Sequence, residues 1–420
     1  MSNFSDKTQF DYLYDALAQK YPGIKNTDGR NTMFQFVTTP TSADWANGND
    51  ARAYNMANAV SKNLDGFYVH GDALDTSYIH LIQTVKPKSG DDNPRYREVC
   101  RIIGALQEEM TSIRNNAISD YNVWKANNSS ATTGISDLTF NEWLLDDFGG
   151  SSWQMKIDQQ KFKINDYIKE QKAILSTMDR ALTDALDRID DAKMDKMTIS
   201  LNGQNATTVP KLTVGGDLAA DKARWLQTPK GQYEFDVSIN AAETITSPWK
   251  TLYDTKVDKS CFKLSIKTEV NTSRIIMDKS YNLNFRAVGI NSYDVTRGKW
   301  YSPDFVRPDI QLVDGAAVTN DYFFSGSGVL HMIPNNILVM YRPEIELTIS
   351  TDCYKETLSA YSDVNISWIE IFGFRMNFGA AGKLQPISKG DKVVIKIYSP
   401  ENAVPQLVGV TSTVVYNGNK

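Results

Sequence analysis

The sequence predicts an α+β protein in which an elongated N-terminal helical bundle precedes an all-β antiparallel sandwich. Two periodicities predict this class. Before residue 197, apolar residues recur three and four positions apart, as on one face of a helix, and after it they recur at every second position, as on one face of a strand. The sequence therefore divides into a mainly helical domain over 1–196, a connection over 197–228 and a β-sandwich domain over 229–420.

The first long helix is predicted over 94–127, because its apolar residues keep the helical period and no proline follows the first position. Its apolar stripe comprises Val99, Ile103, Leu106, Met110, Ile113, Ala117, Tyr121 and Trp124. Helices are also predicted over 8–21 and 47–64, with an ambiguous segment at 34–39 between them. Together with the long helices these segments could complete a four-helix bundle.

A second long helix is predicted over 151–194, after a short helix whose start carries the Thr139 and Glu142 capping pair. At about 1.5 Å per residue it would be on the order of 60 Å long and would return antiparallel to the first. Heptad spacing predicts a helix–helix seam along one face. The candidate seam residues are Ile164, Ile168, Leu175, Met178, Leu182 and Ile189.

The chain after residue 228 alternates polar and apolar residues, with Gly and Pro between the alternating runs. Strands are predicted over 231–239, 261–272, 281–290, 337–351, 366–377, 392–398 and 406–415. Seven strands without an intervening helical pattern indicate a sandwich or a barrel. The connection before them contains Pro210, Gly215 and Gly216 and is either an ordered crossover or a hinge.

The segment 262–290 reads as two alternating strands that could pair as a hairpin around 277–280. Such a hairpin is either the interior of an ordinary sandwich or a wall that enters a membrane after assembly, and pattern alone allows both. The strand near residue 370 is apolar on both faces, which fits core packing or a partner contact. The candidate membrane or subunit contact residues are Phe262, Leu264, Ile266, Val270, Tyr281, Leu283, Phe285, Trp368, Phe372 and Phe374.

Two clusters invite a chemical interpretation. His70, Asp72, Asp75 and His80 offer imidazole and carboxylate ligands, but their spacing matches no established metal site, so we interpret the segment as a solvated loop. Ser327 lies in a sequence that resembles a nucleophile elbow, but Ser325 replaces the first glycine and a strand follows. We predict a glycine-rich loop between strands there.

No catalytic residue, metal site or cofactor is predicted, since neither a phosphate-binding loop nor a dinucleotide fingerprint occurs. Three distant cysteines, Cys100, Cys261 and Cys353, indicate buried hydrophobic side chains and no disulfide framework. The formal net charge of -5 without a basic stripe disfavours nucleic acid as a partner.

The N-terminus lacks the basic and apolar regions of a secretory signal, and no window holds the roughly 20 apolar residues of a spanning helix. We therefore expect synthesis in the cytoplasm without a signal peptide or transmembrane helix. Action outside the cell would require a non-classical route of release.

These observations favour a non-enzymatic assembling protein. The order of helices and then a β domain resembles bacterial pore-forming and insecticidal toxins, which implies a soluble chain that oligomerises on a target membrane and forms a pore. The alternatives are a structural subunit of a fibre, shell or injection device and a carbohydrate-binding sandwich protein. The expected partners are further copies of the chain or partner subunits, with membrane lipid or glycan as a target.

Overall fold

Helices and predominantly antiparallel strands both occur in the structure, which is an α+β fold as predicted. The structure is a computed structural model, and it describes residues 16–17, 20, 32–43, 50–61, 67–68, 70–88, 93–128, 138, 140–147, 149–176, 178–201, 204–240, 262–266, 272–276, 282–314, 316–357, 365–371 and 374–415.

The helices of these segments alternate with strands early in the chain and become short and sparse later. They are α1 (Asp50–Ala57), α2 (Leu74–Thr84), α3 (Pro94–Asn128), α4 (Phe140–Leu144), α5 (Ser151–Leu175), α6 (Arg180–Ile189), α7 (Leu218–Leu226), α8 (Asn320–Phe324) and α9 (Thr351–Thr357).

The strands begin well before the predicted sandwich. They are β1 (Thr32–Ser42), β2 (Ala59–Ser61), β3 (Phe67–Tyr68), β4 (His70–Ala73), β5 (Lys196–Leu201), β6 (Gln204–Pro210), β7 (Leu212–Val214), β8 (Phe235–Asn240), β9 (Phe262–Ile266), β10 (Thr272–Ile276), β11 (Asn282–Arg297), β12 (Met332–Ser350), β13 (Asn365–Ile371), β14 (Phe374–Lys389), β15 (Lys392–Tyr398) and β16 (Gln406–Val414).

The first long helix is confirmed. Pro94 occupies the first turn, where its missing N–H costs no hydrogen bond. The Asn93 Oδ1 atom accepts hydrogen bonds from the backbone N–H groups of Arg95 and Tyr96, at 3.0 Å each, and so caps the helix. The 35 residues of α3 span about 52 Å at 1.5 Å per residue.

The second long helix is shorter than predicted, because the chain breaks after Leu175 and resumes as α6 at Arg180. Asp179 is the N-cap of α6, and its carboxylate accepts a hydrogen bond of 3.1 Å from the Leu182 N–H. The 25 residues of α5 therefore span about 37 Å instead of the predicted 60 Å. Lys172 on α5 pairs with Asp187 and Asp190, which places α6 beside the last turns of α5.

The largest sheet forks at one long strand. β12 pairs with β11 from residue 336 to 348 along one edge. Along its other edge it pairs with β16 up to Met340 and with β15 from Glu344 onward. The change of neighbour falls beside Arg342, which has a left-handed φ of 47°. One branch continues through β16, β1 and β3, and the other through β15, β14, β13, β9 and β10.

This topology corrects the predicted boundaries at several points. The strands β1 and β3 precede residue 197 and yet belong to the large sheet, because β1 pairs with β16. The predicted helix over 47–64 ends at Ala57 and is followed by β2, while 70–84 forms β4 and α2 instead of a solvated loop. The single strand predicted over 366–377 is instead two strands. β13 ends at Ile371, β14 begins at Phe374, and the two pair antiparallel with these residues opposite each other.

The connection 197–228 is an ordered crossover in the described residues. It contains the β5–β6 hairpin, β7 and α7. Trp225 of α7 is fully buried, stacks on Tyr341 with ring centroids 5.7 Å apart, and donates its indole N–H to Glu234 at 2.9 Å. Gly289 is the cross-strand partner of Tyr341, and its lack of a side chain leaves room for the indole.

Candidate assembly and membrane-contact surfaces

The predicted helix–helix seam is buried inside the helical part of the molecule. Within it, Met178 is only partly buried, whereas the others are at most 3% exposed: Ile164, Ile168, Leu175, Leu182 and Ile189. The seam therefore joins helices of one chain. Its residues lie on α5, in the following turn and on α6, so the heptad rows survive the break because α6 packs back onto the same core.

The main partner of α5 is α3, and the two helices run antiparallel. Arg95, near the start of α3, donates to Glu170 near the end of α5 at 2.8 Å. Farther along, the Gln160 amide donates to the Leu106 carbonyl at 3.0 Å. None of the helices in the described segments has both the length and the apolar content needed to cross a bilayer.

The outer face of α5 carries two apolar side chains that contact solvent. Met155 is 62% exposed and Phe162 is 70% exposed, and their spacing of seven residues places them on one face of the helix. Both residues lie outside the seam rows, so the heptad pattern did not predict this exposed pair. An apolar residue in an otherwise charged helix face was the available signal.

The predicted contact segment 262–290 is arranged differently from the prediction. β9 pairs with β10, from Phe262 opposite Ile276 to Ile266 opposite Thr272, so the hairpin spans 262–276. The predicted pairing of 262–272 with 281–290 is wrong, because β11 pairs instead with β8 and β12. β8 and β12 occupy both edges of β11 over residues 282–287, so no edge is left there for β9.

The β9–β10 hairpin, defined here as residues 262–276, lies at one end of the large sheet. β9 is bonded to β13, with Ile369 opposite Leu264 and Ile371 opposite Phe262. β10 is the terminal strand in the strand order of the described residues, so one of its edges has no strand neighbour there.

The other predicted contact residues fall into two groups. Leu283 and Phe285 on β11 are 1% and 2% exposed, and the Phe285 ring contacts Phe235 with centroids 5.7 Å apart, so both belong to the sheet interior. Val270, Tyr281 and Phe372 lie outside the described residues. The structure describes only the backbone at the remaining positions, which are Phe262, Leu264, Ile266, Trp368 and Phe374.

The possible ligand cluster at 70–80 is dispersed by the fold. His80 on α2 is 3% exposed and lies between the Tyr322 and Phe323 rings, with centroids at 5.5 and 5.3 Å. This burial lowers its pKa to about 3, so the ring is neutral at pH 7. Asp75 accepts a hydrogen bond of 2.9 Å from the Tyr54 hydroxyl. In the described segments no three His, Cys, Asp or Glu side chains converge as they would around a metal ion.

The segment around Ser327 is a turn, but it joins the helix α8 to β12, so the predicted connection between two strands is wrong about the element that precedes it. His331 is buried, and its Nδ1 atom donates to the Gly328 carbonyl. Burial also raises the pKa of the Cys100 thiol to about 11, which keeps the sulfur protonated at neutral pH.

Compared with protein-family models, curated proteins and solved structures, the chain matches none.

Proposed function

We propose that the protein is a non-enzymatic, toxin-like assembling protein that oligomerises on a target membrane and forms a pore. The observation that carries the proposal is the place of the β9–β10 hairpin at the end of the forked sheet. Within the described segments a single ladder, to β13, attaches it to the sheet, so its departure would disrupt fewer strand pairs than the departure of any internal strand.

The contrast with β11 identifies the segment that would move. β11 is bonded to β12 over most of its length and also to β7 and β8, and its Leu283 and Phe285 side chains are buried. The movable hairpin is therefore 262–276 and not the whole of 262–290. A strand that crosses a bilayer needs about 9–11 residues, so insertion would also recruit residues that flank these five-residue strands.

The outer face of α5 supplies a surface for oligomerisation. Met155 and Phe162 project from a helix that is already held on its inner face by α3. A second copy of the chain would cover both side chains and gain about 1.5–3 kcal/mol for a fully buried large apolar residue. In this proposal the α5 faces bring subunits together and the hairpins then leave their sheets.

A structural subunit is the second candidate, and the open end of the sheet favours it. A neighbour could pair with the edge of β10 that has no strand partner among the described residues, and a head-to-tail contact of that kind builds a filament unless its rotation closes a ring. The carbohydrate-binding alternative lacks comparable support, because Phe162 is the aromatic residue among the large exposed apolar side chains that the structure describes, and it lies on a helix.

A disulfide tether across β9 and β13 tests the proposed movement. Lys263 faces Glu370 in the ladder, and opposite residues of antiparallel strands lie about 4.5–5.5 Å apart at Cα, within the range a disulfide spans. The variant Lys263→Cys/Glu370→Cys is made with Cys261→Ser, so that no third thiol lies beside the pair. Dye release from liposomes is measured before and after reduction.

Oxidised tethered protein should release no dye, and reduction should restore wild-type release. The matched control is Asn282→Cys/Thr348→Cys, which joins β11 to β12 in the part that stays folded and should leave release unchanged when oxidised. Release by the oxidised Lys263→Cys/Glu370→Cys variant would refute hairpin movement. Filaments without lipid, together with no dye release by the wild-type protein, would support the structural subunit instead.

The α5 contact is tested separately by Phe162→Ser. The side chain is exposed, so the free energy of unfolding should change by less than about 0.5 kcal/mol. The protein concentration needed for oligomers to form on liposomes should rise at least tenfold. Val123 is an exposed apolar residue on α3, so Val123→Ser is the control and should leave assembly intact. Assembly of Phe162→Ser at wild-type concentration would remove α5 from the interface.

A further inference from the structure

A cavity of about 130 Å³ lies inside the helical part of the molecule, and neither the hairpin nor Met155 nor Phe162 contributes to its wall. Residues of α2, α3 and α5 form most of its wall, and the end of α6 and the β5–β6 hairpin close it. An engineered apolar cavity of roughly 150 Å³ accommodates benzene, so this volume suits a molecule of about six or seven heavy atoms.

The inner wall of the cavity contains a donor without an acceptor. Gln83 is fully buried, and its Oε1 atom accepts a hydrogen bond of 2.7 Å from the Gln107 amide. Its Nε2 atom has no hydrogen-bond partner among the described residues. A buried amide N–H group without an acceptor is costly, and a ligand oxygen would remove that cost.

The rest of the wall determines the kind of ligand. Met110, Ile164 and Met194 contribute apolar surface. The charged groups near the opening are already paired, since Lys196 contacts Asp191 at 2.6 Å and Lys161 lies 3.8 Å from Asp158.

Asp75, the other carboxylate near the amides, accepts hydrogen bonds from the Tyr54 and Thr76 hydroxyls at 2.9 and 3.2 Å. A Coulombic interaction with the Arg114 guanidinium also opposes the Asp75 charge, so the charged groups described around this cavity do not require an ionic ligand.

We propose that this cavity is a binding site for a small neutral molecule with an apolar body and one carbonyl oxygen, which accepts a hydrogen bond from the Gln83 amide. The site is independent of assembly, because none of its residues belongs to the hairpin or to the exposed pair on α5. Loss of pore formation would leave this proposal intact, and the reverse also holds.

The test uses cyclohexanone and methylcyclohexane, which have the same number of heavy atoms and differ in the acceptor. Binding to the full chain is followed by NMR through methionine methyl groups labelled with ¹³C, because Met110 and Met194 report on the cavity. Cyclohexanone should shift both signals saturably and bind about tenfold more tightly than methylcyclohexane, the ratio expected for one additional buried hydrogen bond.

Three variants sharpen the result. Gln83→Leu should reduce the cyclohexanone affinity about tenfold and leave that of methylcyclohexane unchanged. Gln160→Leu is the matched control, since Gln160 is an equally buried glutamine outside the cavity wall, and it should change neither affinity. Ile164→Phe fills the cavity and should abolish both.

The proposal fails if neither methyl signal responds to cyclohexanone, which would mean that the cavity holds water only. It also fails if the two probes bind the wild-type protein equally well. Because this ratio is measured without any substitution, the comparison stands even if Gln83→Leu does not fold.

Discussion

The helical core and the sheet core around Trp225 are specified in different ways. The helical core encloses hydrogen-bonded polar side chains, among them Gln83, Gln107, Gln160 and Gln171, each at most 2% exposed. Around Trp225 the sheet core is instead a steric fit of an indole against Gly289 and Tyr341. The difference teaches that the sheet core should be sensitive to added atoms, and the helical core to lost partners and added charge.

The largest effect is expected for Gly289→Ala in the sheet core. A Cβ atom at this position would lie 2.2 Å from the Trp225 indole, well inside van der Waals contact. Because the indole is packed against Tyr341, we expect a loss of about 3 kcal/mol in the free energy of unfolding, measured by urea denaturation.

A double-mutant cycle tests the cause of that loss. Trp225→Ala alone should cost about 3–5 kcal/mol, but Gly289→Ala added to it should cost less than about 1 kcal/mol because the clash is gone. Additive costs would show that the clash with the indole is not the cause.

The next effect is a pH dependence from His80 in the helical core. Burial lowers its folded-state pKa to about 3, against about 6.5 in the unfolded chain. The unfolded state therefore binds more protons between these values, and the stability falls as the pH drops below 6.5 and stops falling near 3. From pH 7 to pH 4.5 this group should account for a loss of about 2–3 kcal/mol.

His80→Leu removes that proton-binding difference. The loss of unfolding free energy between pH 7 and pH 4.5 should be smaller in the variant by about 2–3 kcal/mol, since carboxylates contribute to both proteins alike. Between pH 7 and pH 8 the two proteins should show parallel behaviour. Equal acid sensitivity of both proteins would contradict the burial of a neutral ring at this position.

A smaller effect is expected for Gln171→Leu. The Gln171 side-chain amide donates to the backbone carbonyl of Gln83 at 2.7 Å, and a leucine of similar size would leave that buried backbone oxygen unpaired. The expected cost is about 2 kcal/mol in urea denaturation. Gln154→Leu on the same helix is the control and should cost less than about 0.5 kcal/mol, because the hydrogen bond that Gln154 makes to Asp158 is exposed. Equal losses of unfolding free energy in the two variants would show that the buried hydrogen bond of Gln171 contributes no more to stability than an exposed one.

The smallest effect concerns the break between α5 and α6. Hydrogen bonds from Lys172 and Lys193 hold the pKa of Asp187 below its usual value. The contribution of these hydrogen bonds to the free energy of unfolding is therefore present at neutral pH and is lost as the pH falls through the lowered pKa. Lys172→Met should cost about 1 kcal/mol at pH 7 and less at pH 3. A cost that does not change with pH would attribute the effect to packing of the lysine stem.

The same two cores explain which elements could be predicted from the sequence. The stripe of α3 and the alternation of β15 are local patterns, and both elements have nearly the predicted bounds. The break after Leu175 was missed because the seam rows continue across it, although Asp179 is a typical capping residue. Propensity gave no reason to prefer a cap over one more helical turn there.

Strand pairing was harder to predict than strand position. The alternation of 262–272 and 281–290 is the same for several pairings, and the observed choice depends on β12, which supplies a longer partner for β11. The exposure of Met155 and Phe162 could not be predicted from periodic stripes either. The pairing of β11 and the exposure of Met155 and Phe162 both depend on contacts between residues far apart in sequence. Periodicity describes only residues that are close together along the chain, so it could predict neither.

The ladder between β1 and β16 has a consequence for how the protein is made. Thr32 faces Thr413, so β1 leaves the ribosome before almost the whole of its partner sheet has been translated. At a translation rate of about 5–20 residues per second, roughly 20–75 s pass between the synthesis of Thr32 and that of Thr413. During that time the Phe34 and Phe36 side chains, which are buried in the folded protein, lack the β16 strand that pairs with β1. During synthesis β1 is therefore an aggregation hazard until β16 has been translated, because its two buried phenylalanine side chains lack the strand that covers them in the folded protein.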